Sequence, residues 1–163
     1  MKKTLILAFL TIFFLTIPLA SFASRRSDIE DALDYWIQYA DDENFEVLDT
    51  DIDMLSEDES DIYYTITLDP GSYAFVAQTG EDIPNIDMAA FYEDDYNNGE
   101  DPFITDTFDD NYPVLEFDLD RTETIIVELW VVDWARRSDD GYYCILFAGD
   151  VDSGSDDNDH GGK

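Results

Sequence analysis

Oxygen ligands are the most abundant reactive side chains in this sequence. Of 163 residues, 40 are Asp or Glu against 8 Lys or Arg, for a formal net charge of −32. Carboxylate and amide oxygens are the hard ligands that calcium gathers in sets of ~6–8. Two stretches crowd them together. In 93–101, Asp94, Asp95, Asn97 and Asp101 are candidate metal ligands, and Asp82, Asn85 and Asp87 upstream are expected to join them. In 106–111, Asp106, Asp109 and Asp110 would repel one another without a counter-ion. Neither stretch follows EF-hand spacing, and the acidic segment 150–159 matches it only loosely. Two plainer readings compete with calcium. Asp and Asn favour turns whatever they bind, and an acid-rich, lysine-poor surface suits a salty medium that screens its self-repulsion.

Other chemistries lack parts. His160, the sole histidine, lies in the acidic C-terminal segment, which argues against Ser-His-Asp or Cys-His catalysis and against a His/Cys zinc site. A glycosidase carboxylate pair can be drawn on paper anywhere among 40 acids, so it discriminates nothing. The expectation is a protein that is not an enzyme. The charge balance also excludes neutralising a nucleic-acid backbone or docking on anionic lipid.

Aromatic residues offer a second kind of site. Along 123–134, alternation places Ile125, Val127, Leu129 and Val131 on one face, and Ile126, Glu128, Trp130, Val132 and Trp134 on the other. Trp130 and Trp134 are candidate ligand-binding residues that could stack on sugar rings or on a partner's apolar surface. The competing use of that face is as the seat of an N-terminal helix, and this covered arrangement is the expectation. Arg136 and Arg137 follow at once and are expected to neutralise neighbouring acids.

These residues need elements to position them. Lys2, Lys3, the apolar run from Leu5 to Leu19 and the small residues Ser21 and Ala23 form an export signal over 1–23. The chain is therefore expected to be secreted, extracellular or periplasmic, with no membrane contact after cleavage. Cys144 is the single cysteine, so no intramolecular disulfide can form, and its apolar surroundings predict a buried thiol. Over 24–44, Ile29, Leu33, Trp36, Ile37 and Ala40 recur at helical spacing, behind a capping-box pattern of Ser27 and Glu30. From Phe45 the period changes to two. Strands are expected at 46–48, 62–68, 72–77, 86–92, 102–105, 114–118, 123–132 and 142–147, separated by Asp/Asn/Pro/Gly turns. That pattern is mainly β, an antiparallel β-sandwich over 45–149 with one short N-terminal amphipathic helix. The segment 150–163 is too polar to fold alone and is read as a disordered acidic tail.

The strand region also resembles a known family. Ile66-Thr67-Leu68-Asp69-Pro70-Gly71-Ser72-Tyr73-Ala74-Phe75, the strand Asp87 to Tyr92, the acidic turn Asp106, Asp109 and Asp110 before Pro113-Val114-Leu115, Glu123 to Leu129, and Gly141-Tyr142-Tyr143 resemble the bacterial pre-peptidase C-terminal domain over about 61–148. The resemblance implies a jelly-roll-like sandwich of the kind appended to secreted enzymes, whose relatives in bacterial collagenases bind calcium and collagen. The N-terminal helix is not part of that pattern, and the module is expected to be freestanding. Together these readings give a secreted, non-catalytic binding or structural module, calcium-stabilised, with an extracellular polysaccharide or protein as partner. The alternatives are a carbohydrate-binding module using Trp130 and Trp134 and, less favoured, a glycoside hydrolase.

Overall fold

A computed structural model describes residues 26–135 and 139–150. The expected export signal over 1–23, Arg136 and Arg137, His160 and the expected acidic tail from 151 lie outside the described residues. Helix α1 (Arg26–Asp42) precedes β1 (Glu46–Ser56), β2 (Asp61–Leu68), β3 (Gly71–Thr79), β4 (Asn85–Tyr92), α2 (Glu93–Asn98), β5 (Ile104–Asp106), β6 (Val114–Leu119), β7 (Glu123–Asp133) and β8 (Asp140–Asp150). One sheet has the order β1-β8-β3-β6 and the other β2-β7-β4-β5. Strands 1 and 8, 2 and 7, 3 and 6, and 4 and 5 each pair antiparallel, as in a long hairpin rolled into two layers. That is the jelly-roll order, and the sandwich is of jelly-roll type.

The interior follows from period-two patterning. Phe75, Leu115, Ile145 and Phe147 of the first sheet meet Ile86, Met88, Ile125, Val127 and Leu129 of the second. Phe75 is its centre, edge-on to Phe147 at 4.7 Å and to Phe117 at 5.0 Å between ring centroids, a favoured aromatic geometry. Strand β8 is apolar on both faces. Tyr143, Ile145 and Phe147 point into the sandwich, while Cys144, Leu146 and Ala148 point outward and need their own cover. Helix α1 supplies it with Ile29, Ala32, Leu33, Trp36 and Ala40, and the Trp36 indole donates to Gln78 Oε1 on β3 at 2.8 Å. Burial under this helix pushes the Cys144 thiol up to about 12, so it stays protonated packing material.

Some local expectations change. Ala32, rather than Ile37, completes the buried stripe of α1, and Ile37 remains exposed. The Ser27–Glu30 capping box does not form: Glu30 instead pairs with Arg26 at 2.9 Å. Strand β1 runs eight residues past Leu48, through Asp49, Asp51 and Asp53, which the sequence pattern does not mark as strand. It is an edge strand, and charged residues there discourage pairing with another chain. Asp49 and Asp53 turn back to accept the N–H of Thr50 and Met54, each at 2.8 Å. Asp51 accepts from Tyr64 Oη of the other sheet at 2.8 Å, and Tyr143 donates to the same Tyr64 oxygen at 2.7 Å. This chain of hydrogen bonds ties the two layers together at their open edge.

Burial of Tyr143, together with the neighbouring carboxylates of Asp51 and Asp53, raises its pKa from 10.0 to about 12. A phenol whose pKa is higher in the folded chain contributes stability that is complete below pH ~10 and lost as pH rises through the folded value. Tyr143→Phe should therefore cost about 0.5–1.5 kcal/mol at neutral pH and flatten the loss of stability between pH 10 and 12. Urea unfolding across that range checks this, and an unchanged alkaline slope would contradict it.

Candidate functional site

The helix settles which surface is free. It packs on β8, β1 and β3, so it covers the first sheet and not the Trp130 face as expected. The outer face of the second sheet is free of α1, although Tyr96 of the short helix α2 packs on it against Phe91 and Tyr63. Cross-strand register arranges it in rows, with Asp61, Trp130 and Asp87 in one and Tyr63, Glu128, Ala89 and Thr105 in the next. Tyr63 is 49% exposed, and its hydroxyl donates to Glu128 Oε1 at 2.9 Å. Trp130 is half-buried beside Asp87.

Trp134 does not continue this strip. A register shift between Asn85 and Ile86, opposite Asp133 and Val131, breaks the alternation of β7. Beyond it Trp134 packs against the interior of the sandwich, with Val131, Phe103 and Ile104 among its fellow fillers. The two indoles thus have different settings, and of the candidate ligand-binding pair Trp130 and Trp134 only Trp130 stands on the outer face.

The acidic residues divide in a similar way. Asp94, Asp95 and Asn97 belong to α2, which replaces the expected loop; it ends where Gly99 takes a left-handed φ of 72° and its N–H caps the last turn. Asp101 lies exposed beyond it. The first turn of α2 forms one wall of a polar cleft of about 210 Å³, lined by Tyr92, Glu93, Asp94, Asp95, Arg121, Glu123 and Thr124. Arg121 is bound to Glu123 there. Asp82 stands apart from α2, and its backbone carbonyl accepts from Ala135 N at 2.9 Å.

Asn85, Asp87, Asp106, Asp109 and Asp110 are brought together at the end of the second sheet where Trp130 stands. The loop joining β5 to β6 is pinned from several sides. Asp106 accepts Phe108 N at 3.2 Å and Val114 N at 2.8 Å, and Asp110 accepts Tyr112 N at 3.1 Å. These are the Asx-type closures that Asp provides in turns. Asn85 Nδ2 donates to Asp109 Oδ1 at 3.2 Å, and Asp110 O accepts Ile86 N at 3.1 Å. Asn85 Oδ1 is buried with no hydrogen-bond partner. Asp87 is only 8% exposed. Burial raises its pKa, the charges of Asp106 and Asp110 raise it further, and a hydrogen bond from Trp130 opposes the rise. Asp110 is also raised by burial first; its Tyr112 N–H bond pulls it down, and Asp106 and Asp109 push it up. Among the described residues, no three Asp, Glu, Cys or His side chains stand ready-grouped around a metal position. The corner offers carboxylate and amide oxygens in excess of donors.

Tyr63 and Phe108 are surface aromatics that sequence reasoning did not single out. Alternation in 62–68 already opposes Tyr63 to Ile62, Tyr64 and Ile66, and Phe108 is the one apolar residue inside an Asp-rich turn.

Among solved structures, the chain is similar to the pre-peptidase C-terminal domain of collagenase from Bacillus anthracis, with 13% identity, a TM-score of 0.49, and coverage of 61% of this chain and 87% of that one. It is also similar to a periplasmic inhibitor of g-type lysozyme from Aeromonas hydrophila, with 12% identity, a TM-score of 0.45, and coverage of 62% and 84%. No family model and no curated protein matches the chain.

The raised pKa of Asp87 has a consequence for stability. A carboxyl whose folded pKa is raised favours the folded state below its unfolded value near 4, and that contribution is lost as pH rises through the folded value. At pH 7 without divalent cations the ionised Asp87 is therefore a net cost. Asp87→Asn should raise the urea midpoint at pH 7 in chelator and reduce the decline in stability above pH ~4. A lower midpoint with an unchanged pH profile would contradict it.

Proposed function

We propose that this chain is a non-catalytic binding module working outside the cytoplasm, stabilised by a calcium ion at the corner formed by Asn85, Asp87, Asp106, Asp109 and Asp110. The observation that carries this reading is the buried Asn85 amide oxygen, which has no partner, next to a buried carboxylate repelled by its neighbours. An unmet buried acceptor costs ~1–3 kcal/mol, and calcium accepts both amide and carboxylate oxygens. Asp109 is exposed and already accepts Asn85 Nδ2, so a modest swing of its carboxylate would let an ion satisfy Asn85 and relieve the repulsion. The export signal over 1–23 supports the location, and extracellular modules hold calcium at ~10⁻⁴–10⁻³ M.

At about 10 mM calcium such affinities stabilise the fold by about 1.4–2.7 kcal/mol. Thermal unfolding in calcium, compared with chelator plus sodium chloride at the same ionic strength, should show a higher Tm by several degrees. The shift should vanish in Asn85→Ala and in Asp109→Ala. Equal Tm values in the two media would leave charge screening as the whole effect and remove the ion from the account.

A second reading rests on the uncovered sheet face. Trp130 lies between Asp61 and Asp87 in register, with Tyr63 in the next row. An aromatic ring flanked by acceptors matches the face and hydroxyl edge of a sugar. Under this reading a glycan array should show ligands lost in Trp130→Ala and retained in Trp134→Phe. Binding unaffected by Trp130→Ala would exclude the platform.

A further inference from the structure

The strongest unexplained feature of the surface is Phe108, 74% exposed at the tip of the loop between β5 and β6. The sequence around it is not slack. Phe108 N is held by Asp106 and Phe108 O accepts Asp110 N at 2.8 Å, so both backbone groups of the exposed residue are tied. Three residues beyond Phe108, Asn111 is locked to Thr79 on β3, donating from Nδ2 at 2.6 Å and accepting Thr79 N with its carbonyl at 2.9 Å. Pro113 O accepts Ala77 N at 3.1 Å. The loop is therefore anchored to the first sheet through Thr79 and Ala77 and to the second through Ile86 and Asn85. A phenyl ring held out into water on a rigid support carries little ordering cost when it is buried by a partner. Val132, 50% exposed, lies at the same end of the sandwich, next to Asp133, which is the cross-strand neighbour of Asn85.

We infer that Phe108 is the anchor of a protein-docking surface, with Asp106, Asp109, Asp110 and Asp133 as its acidic rim. Charge selects the occupant. A second copy of this chain, at −32, is repelled, as are nucleic acid and anionic lipid. The complementary partner is a cationic protein surface bearing an apolar pocket bordered by Lys or Arg. Aromatic anchors at the centre of such interfaces carry most of the binding energy, and an acidic rim speeds encounter in a salt-dependent way. The inference does not require the calcium ion: with two positive charges placed among Asp87, Asp106, Asp109 and Asp110, the rim stays negative.

The test is selection of a displayed random-peptide library on the immobilised chain at physiological ionic strength with calcium present. Enriched peptides are then titrated against wild type, Phe108→Ala and Phe108→Trp. The expected result is enrichment of peptides pairing apolar residues with Lys or Arg. Their affinity should fall at least ~30-fold for Phe108→Ala, persist for Phe108→Trp and weaken with added salt. Because the ring is exposed, Phe108→Ala should keep the wild-type Tm and calcium response, which separates this result from the fate of the ion site. Equal binding to wild type and Phe108→Ala, enrichment of neutral or acidic peptides, or no enrichment would overturn the inference.

Discussion

Self-repulsion among carboxylates is the constraint on which the rest of this structure depends. With so few cations, most acids cannot be neutralised by ion pairs, and the fold uses neutral donors instead. Hydroxyls serve Asp51, Asp69, Asp118 and Glu128, from Tyr64, Thr122, Ser72 and Tyr63 respectively. Backbone N–H groups serve Asp49, Asp53, Asp106 and Asp110. Each arrangement turns a charge into part of an edge, a turn or an inter-sheet tie. Where Asp87, Asp106, Asp109 and Asp110 gather around Asn85, the acceptors outnumber the donors, and Asn85 Oδ1 is left buried and unserved. That local excess is the physical basis for assigning a cation to this corner rather than to the more acidic-looking segment 93–101.

Topology decides which surfaces remain to work with. Jelly-roll order makes β8 an internal strand of the first sheet, and its apolar outer residues require the cover that α1 provides. In the second sheet only β4 is buried outward, through Asp87, Ala89 and Phe91, and Tyr96 of α2 packs edge-on against Phe91 at 5.2 Å. The rest of that outer face mixes Asp61, Thr65, Glu128 and Trp130, which water can solvate. Helix α1 therefore stabilises one layer and, by its choice of side, leaves the Trp130 end of the other uncovered, while α2 shields the Phe91 end. The corner with Asn85, the half-buried Trp130 and the projecting Phe108 all belong to that open half.

Much of the fold was legible in the residues because hydrophobic alternation and turn chemistry agree along most of the chain. All eight strands, the helix and the buried Cys144 follow from that agreement. The extension of β1 did not, since Asp49, Asp51 and Asp53 read as loop until the Tyr64 hydroxyl and edge N–H groups that donate to them are known. Helix α2 was read as a ligand loop because Asp and Asn suit both, and its capping depends on the backbone of Gly99. The seat of α1 on the first sheet has a signal of its own in the sequence: the run from Tyr142 to Phe147 is apolar at every position and so must be covered on both faces. Trp134 could not be placed by counting, because one bulge in β7 reverses every side chain beyond it. At the candidate corner the residue types were visible, but which acids converge depends on contacts between β4, β5 and the loop that follows.

The most direct measurement of the ion assignment is terbium luminescence excited through tryptophan. Terbium replaces calcium in oxygen sites, and an ion held by Asp87 would lie close enough to the Trp130 indole to be excited through it. The account predicts sensitised emission that calcium chases away and that falls sharply in Trp130→Phe, while Trp36→Phe, in the helix that covers the opposite sheet, leaves it intact. Absence of sensitised emission, or emission that calcium cannot displace and Trp130→Phe does not alter, would contradict a cation site at this corner.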